Sequence, residues 1–82
     1  MVKSISILKL GNYQSIANAI VRLDEPFDIK LTLNKDIVNF TDIVLIPGVG
    51  NFEGHMKIIE NYGLKDTLRN MYYEDKLIIG IC

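Results

Sequence analysis

Apolar and polar positions along the chain follow two spacings, one typical of strands and one typical of helices. Residues 4–10 are rich in β-branched and apolar side chains and predict a first strand. Ile16, Ile20 and Leu23 then lie on one face of a helix, at offsets i, i+4 and i+7. Asn12, directly before that segment, is the predicted N-cap of this helix.

The same spacing predicts the rest of the elements. Residues 27–33 alternate strictly between apolar and polar, which is typical of a strand near a sheet edge, and the chain then turns toward the next strand. Residues 43–46 are continuously apolar, as in a central parallel strand. Two helical stripes follow, separated by a stop at Gly63. The apolar run 77–81 predicts a final buried strand.

The order of these elements indicates the fold class. Strand, helix, strand, strand, two helices and strand are expected to form an α/β fold with a doubly wound, mostly parallel sheet. The ligand site of such a sheet lies beyond the carboxyl ends of its strands. Three segments are predicted to meet there: Gly11-Asn12, residues 47–50 and the turn at Cys82.

Composition narrows the class of protein. The 82 residues, with 49% hydrophobic content and a formal net charge of -1, describe one small domain or part of one. Lysine and arginine are not clustered, and no apolar run approaches the roughly 20 residues of a membrane span, so neither nucleic acid nor membrane is a predicted partner. A single cysteine excludes an internal disulfide framework, and no signal peptide is recognisable, so a cytoplasmic protein is expected.

Cys82 is the first candidate for chemistry. It follows the last apolar run, at the point where a strand turns into a helix in a nucleophile elbow. A helix N-terminus there would stabilise the thiolate, whereas a cysteine after an apolar strand is otherwise an inert core residue. The sequence ends at Cys82, so residues 1–82 are expected to be the N-terminal portion of a single domain, truncated after the strand that leads to the nucleophile.

The second candidate is the loop Pro47-Gly48-Val49-Gly50. Its glycines allow backbone N–H groups to approach a ligand closely and to form an oxyanion hole, while the competing interpretation is a tight turn. The loop does not match a phosphate-binding fingerprint, and neither a cofactor nor a metal is predicted. His55 is expected to face solvent or to cap a helix rather than to act as a base.

Together these residues resemble a known family, the class I glutamine amidotransferases, and most closely its glutaminase subunits of imidazole glycerol phosphate synthase. The resemblance spans the whole chain. It depends on Gly11-Asn12 after the first strand, on the segment from Ile43 through Pro47-Gly48-Val49-Gly50 to Phe52, and on Ile79-Gly80-Ile81-Cys82. The last of these resembles the first half of the family's Gly-x-Cys-x-Gly elbow.

The resemblance implies a flavodoxin-like fold and a glutaminase that passes ammonia to a synthase partner. The substrate would be glutamine, and the partner a (β/α)8 cyclase subunit, in a heterodimer of histidine biosynthesis. Cys82 would be the nucleophile. Backbone N–H groups of Gly48, Val49 and Gly50 would bind the oxyanion and glutamine, and Asn12 would face the partner interface.

Two departures from the family pattern leave the function open. The family commonly has Asp-Tyr-Gly-x-Gly-Asn where this chain has residues 8–12, Leu-Lys-Leu-Gly-Asn, so the ammonia acceptor could instead be a sugar. The family's catalytic histidine and glutamate lie far downstream, so the 82-residue chain alone is predicted to be inactive. Two further hypotheses are a non-catalytic α/β fragment that binds a partner and a different cysteine enzyme of similar fold.

Overall fold

A computed structural model describes residues 2–48 and 52–81. Within those residues the chain forms four strands and four helices in the following order: β1 (Ser4–Leu8), α1 (Tyr13–Val21), β2 (Asp28–Thr32), α2 (Lys35–Phe40), β3 (Ile43–Pro47), α3 (Phe52–Asn61), α4 (Leu64–Tyr73) and β4 (Leu77–Ile81).

The four strands form one parallel sheet with the order β2-β1-β3-β4. This is the arrangement of the first four strands of a flavodoxin-like sheet, so the predicted doubly wound α/β fold is confirmed. The strand order also confirms that β2 lies at an edge. Every connection returns the chain to the end of the sheet at which the strands begin. All four strands therefore finish at the opposite end, which is called the carboxyl edge below.

Helices cover both faces of the sheet, and each face has its own hydrophobic cluster. The cluster under α1 includes Ile5, Ile7 and Ala17, whose exposed fractions do not exceed 5%. The other cluster lies under α2, α3 and α4; its buried members are Leu8, Leu10, Val38, Val44, Ile59, Leu64 and Met71. Because side chains of a strand alternate between faces, Ile7 and Leu8 contribute to opposite clusters.

Two polar contacts connect β1 to the segment before β3. The hydroxyl of Thr41 donates to the carbonyl of Val38 (2.7 Å), so the 2.7 Å contact between the Ser6 and Thr41 hydroxyls has Ser6 as donor. At the exposed amino-terminal edge, Asp42 Oδ2 accepts from both the backbone N–H and the hydroxyl of Ser4, each at 3.0 Å. These bonds fix the start of β3 beside the start of β1.

The helix α2 corrects the prediction that the chain turns directly from β2 to β3. Asn34 begins it, because its side-chain oxygen accepts from the backbone N–H groups of Asp36 (2.9 Å) and Ile37 (3.3 Å). The helix has six residues, of which only Val38 is buried, while Phe40 is exposed. One inward-facing residue is too few to give a helical spacing in the sequence.

The prediction that the last apolar run is a buried strand is also corrected. β4 covers the predicted residues 77–81 but forms an edge of the described sheet. Leu77 is 53% exposed and Ile79 is 37% exposed. The run has the composition of a central strand because five consecutive positions lack a charged side chain, and composition does not report whether the strand is covered.

The predicted stop between the last two helices is confirmed at Gly63. Its φ of 70° is left-handed, which glycine adopts without a steric penalty, and it lies between the end of α3 and the start of α4. The first strand is shorter than predicted: β1 ends at Leu8, because Leu10 N–H turns back to the Leu8 carbonyl at 2.7 Å.

Candidate active site

The carboxyl ends of β1, β3 and β4 lie at one edge of the sheet, as predicted, because the three strands are adjacent and parallel. Gly48, the first residue after β3, is exposed there. Asn12 is exposed after β1 and occupies the N-cap position of α1, although its side chain makes no capping hydrogen bond. The remaining predicted site residues, Val49, Gly50 and Cys82, lie outside the described residues.

A hydrogen bond connects the start of the glycine loop to the end of β4. The backbone N–H of Gly48 donates to the carbonyl oxygen of Ile81 at 2.5 Å, which extends the β3–β4 ladder beyond the strand ends. The loop therefore begins directly beside the residue that precedes Cys82. The N–H of Gly48, one of the predicted oxyanion donors, therefore already has an acceptor in this structure.

A cavity of about 170 Å³ opens beside this hydrogen bond. Its lining residues come from the ends of β3 and β4 and from α3: Ile46, Pro47, Gly48, His55, Met56, Ile59, Gly80 and Ile81. Among the described lining residues, His55 is the one with a polar side chain. This part of the lining favours apolar groups and offers one side-chain hydrogen-bonding partner.

His55 lies deeper than expected for a residue predicted to face solvent. Its side chain is half-buried, and it lies four residues before the buried Ile59, so both are on the same side of α3. That i, i+4 relation to an apolar stripe is the sequence signal that could have placed His55 beside the sheet. The prediction considered its neighbours in sequence instead.

Gly80 leaves open space at the end of β4. A Cβ atom built on it would meet no heavy atom within 4 Å, and Gly80 is exposed. Nothing in the described part of the chain therefore requires a glycine at this position. The neighbouring strand residue, Ile46, is its register partner.

A second cavity, of about 370 Å³, lies elsewhere on the molecule. It is formed by the end of α1, the following turn and the start of β2, with the lining residues Ile20, Val21, Asp24, Glu25, Pro26, Phe27 and Ile29. These residues belong to the amino-terminal edge of the sheet, since they precede or begin β2. It is larger than the cavity at His55, and neither of the described site residues, Asn12 and Gly48, lines it.

A perturbed carboxylate, that of Asp42, also lies away from the site. The hydrogen bonds from the Ser4 backbone and hydroxyl hold the pKa of Asp42 below its ordinary value of 3.8. Asp42 precedes β3 at the amino-terminal edge, so this shift supports the fold rather than the site.

Across residues 2–48 and 52–81 no cluster of three or more potential metal ligands occurs. No described helix has the length and apolar character to span a membrane.

Comparison with curated proteins gives a consistent set of relatives. The imidazole glycerol phosphate synthase subunit HisH of Staphylococcus epidermidis is 40% identical over 73 residues, covering 89% of this chain and 36% of the relative. The HisH subunit of Methanothermobacter thermautotrophicus is 36% identical over 72 residues, covering 88% and 34%. The predicted resemblance to the class I glutamine amidotransferases is confirmed. No family model matches the chain.

The glutamine amidotransferase fold is supported independently. A crystal structure of a glutamine amidotransferase superposes with a TM-score of 0.79 at 24% identity, covering 95% of this chain and 41% of that one.

A cobyric acid synthase of Caldanaerobacter subterraneus is 33% identical over 54 residues, or 66% of this chain and 11% of that enzyme. This chain spans about a third of the length of the HisH subunits it matches.

Proposed function

We propose that this sequence is the N-terminal portion of a single glutaminase domain that hydrolyses the side-chain amide of glutamine and delivers ammonia to a synthase partner. The observation that carries the proposal is the hydrogen bond from Gly48 N–H to the Ile81 carbonyl. It places the start of the glycine loop next to the residue before the nucleophile candidate. Glutaminase chemistry needs oxyanion donors close to the nucleophile, because the oxyanion is the oxygen bonded to the carbon that the thiolate attacks.

In the proposed reaction the Cys82 thiolate attacks the amide carbon of glutamine, and the carbonyl oxygen becomes an oxyanion. The N–H groups of Val49 and Gly50 stabilise that charge. Protonation of the amide nitrogen then releases ammonia and leaves a glutamyl thioester, which water hydrolyses to glutamate and the free thiol. The proton transfers require a histidine base supplied by further chain, in accordance with the family resemblance.

The proposed partner is a (β/α)8 cyclase subunit in a cytoplasmic heterodimer, with ammonia used in histidine biosynthesis. The HisH relatives support this acceptor because they are subunits of imidazole glycerol phosphate synthase. Asn12 supports a contact with the partner, since it is exposed at the carboxyl edge and its side chain makes no capping bond.

A second candidate is a glutaminase that serves another acceptor, such as a sugar. Two observations favour it: the shortened segment at residues 8–12, and the similarity to a cobyric acid synthase over 54 residues. Both candidates share the chemistry at Cys82, so they differ only in the partner. A glutaminase assay with different synthase subunits separates them.

The test of the proposed site uses the complete subunit with its cyclase. Gly50→Pro removes one N–H, and we expect it to lower kcat by at least about 100-fold, the scale of one oxyanion donor. Gly50→Ala is the matched control because it keeps the N–H. Normal turnover in Gly50→Pro, with the complex intact by gel filtration, would return the loop to the interpretation of a tight turn.

The 82-residue chain provides the complementary test. It lacks a base and the helix after Cys82, so we expect no release of glutamate from glutamine. Release that disappears in Cys82→Ala would contradict this expectation and would show that the chain carries its own base.

A further inference from the structure

The cavity between the end of α1 and the start of β2, called the α1–β2 groove below, is lined entirely by the described segment 20–29. Its lining includes Ile20, Phe27 and Ile29, which also pack against the hydrophobic cluster under α1. Val21, a further lining residue, is 67% exposed. A volume of about 370 Å³ is sufficient for an aromatic side chain, so the groove can accept an apolar group from outside.

Two carboxylates lie beside this apolar surface. Asp24 and Glu25 line the groove, both are exposed, and neither forms an ion pair in the described part of the chain. Backbone hydrogen bonds hold the turn that carries them: Asp24 N–H donates to the Val21 carbonyl at 3.2 Å, and Phe27 N–H donates to the Glu25 carbonyl at 2.8 Å. The groove therefore combines negative charge with apolar surface, and its complement is a cation beside an aromatic or aliphatic group.

A surface of that chemistry occurs on α4. One side of this helix, called the α4 stripe below, carries exposed residues spaced at i, i+4, i+7 and i+8: Lys65, Arg69, Tyr72 and Tyr73. Tyr72 is 70% exposed and Tyr73 is 75% exposed. Their ring centroids are 5.6 Å apart. The stripe thus joins two cations to two aromatic rings, and tyrosine and arginine are enriched among the residues that dominate interface energies.

The cations of the stripe are accessible to a second molecule. Arg69 Nη1 lies 3.6 Å from Asp66 Oδ1, but both side chains are more than half exposed, and an exposed pair of this kind contributes little. Lys65 forms no ion pair among the described residues. The formal net charge of the 82 residues is only -1, so copies of the chain repel one another weakly and opposite patches can attract.

We propose that the α1–β2 groove of one copy docks the α4 stripe of a second copy, with Tyr73 in the groove and Arg69 beside Glu25. The two surfaces are opposite in charge, and each combines its charge with apolar surface. Because α1 and α4 cover opposite faces of the sheet, the contact is heterologous. It leaves a free groove on one copy and a free stripe on the other, so copies add head to tail.

Sedimentation velocity of the complete subunit, over a range of protein concentrations, tests this contact. The wild type should form dimers and longer assemblies as the concentration rises, and added salt should weaken them. Glu25→Lys alters the groove and Arg69→Glu alters the stripe. We expect each to lower the association constant at least about 10-fold, because a repulsion replaces an attraction. Glu60→Lys and Lys57→Glu are the matched controls, since they make the same charge changes on α3, outside both surfaces, and should associate like the wild type.

A mixture of the two variants gives the decisive measurement. Glu25→Lys keeps its stripe and Arg69→Glu keeps its groove, so an equimolar mixture should form dimers and nothing larger. Tyr73→Ser removes an exposed ring without changing the charge and should also weaken association about 10-fold. All three positions are exposed, so circular dichroism should show an unchanged fold.

Three results would overturn the docking contact. They are a wild-type subunit that stays monomeric at every concentration, a mixture of the two variants that sediments as monomers, and equal weakening by the α3 controls. The last result would show that association depends on net charge alone.

This proposal goes beyond the proposed function and fails separately from it. Neither surface includes the site residues Asn12 and Gly48, so glutaminase activity with the cyclase should be equal in the wild type and in the charge variants. An inactive wild-type complex would refute the proposed function and leave the sedimentation results unchanged. An active subunit that stays monomeric would refute the docking contact alone.

Discussion

On the sheet face that α1 covers, two rows of side chains run from the central strand β1 to the edge strand β4. Burial decreases along each row. In the first row, Ile7 of β1, Leu45 of β3 and Ile79 of β4 are register partners, and their exposed fractions rise from 0% to 7% to 37%. In the second row Ile5 is 4% exposed, and Leu77 of β4 is 53% exposed. Isoleucine and leucine side chains on the same sheet face are therefore buried on β1 and exposed on β4.

The two edges of the sheet differ in the same sense. β2 carries exposed charges, with an ion pair of 3.6 Å between Lys30 and Asp28, and charged side chains are a known protection of natural edge strands. β4 carries only apolar residues and a glycine at positions 77–81. Within the described sheet, β2 is therefore the charged edge and β4 is the apolar, exposed edge.

The largest expected effect tests the contrast within one row. Ile7→Ala leaves a cavity beneath α1 and should lower the free energy of unfolding by about 2–5 kcal/mol. Ile79→Ala, the matched variant on the open side, should cost no more than about 1 kcal/mol, since little packing is lost at an exposed position. Urea unfolding followed by circular dichroism measures both, and equal costs would refute the distinction between the two sides.

The next prediction concerns the hydrogen bond between the buried hydroxyls of Ser6 and Thr41. A buried hydroxyl without a hydrogen-bond partner would be destabilising. Thr41→Val leaves the buried Ser6 hydroxyl without its acceptor and should cost about 1–3 kcal/mol. Ser6→Ala leaves the bond from Thr41 to Val38 intact and should cost about 1 kcal/mol. The double variant should lose less than the sum of the two. Strict additivity in urea unfolding would show that the hydroxyls do not interact.

Substitutions on the edge strands β2 and β4 are expected to change stability less, but to change self-association measurably. Ile79→Lys places a charge on the unprotected strand and should reduce self-association of the 82-residue chain, while unfolding free energy changes by about 1 kcal/mol or less. Lys30→Ile, which removes a charge from β2, should have the opposite effect. Sedimentation velocity at several concentrations measures both. Association that responds to Lys30 but not to Ile79 would reverse our assignment of the edges.

The smallest effect on stability is expected at Asp42. This residue connects β1 to β4 where the strands begin: its carboxylate accepts from Ser4, and its backbone carbonyl accepts from Leu77 N–H at 3.3 Å. The hydrogen bonds from Ser4 lower the pKa of Asp42 in the folded chain. Their contribution is fully present above the ordinary value of 3.8 and is lost as the pH falls through the lower folded value. Unfolding free energies measured from pH 5 downward should fall less in Asp42→Asn, and an identical slope would contradict this.

Local sequence predicted most of the fold because each strand and each long helix has its own apolar spacing. The central run at residues 43–46 and the stop at Gly63 are set by neighbouring residues, and both are confirmed. The helix α2 was missed because one buried residue, Val38, gives no repeat. The exposure of β4 was missed because burial depends on what packs against a strand, which no run of residues reports.

The site was predicted less completely, for a related reason. Motif resemblance selects Cys82 and the loop 47–50, and topology brings the described strand ends to one edge. The hydrogen bond between Gly48 and Ile81, and the half-buried position of His55, arise from the pairing of β3 with β4 and the packing of α3. They depend on contacts between segments that are distant in sequence.

The hydrogen bond between Gly48 and Ile81 also has a mechanical consequence. It joins Gly48, the second residue of the loop, to the end of β4, so the ends of β3 and β4 are held together. The N–H of Gly48 belongs to the peptide plane between Pro47 and Gly48, so that plane cannot rotate without breaking this hydrogen bond. The pairing of β3 with β4 therefore holds the last described peptide of the loop in one orientation.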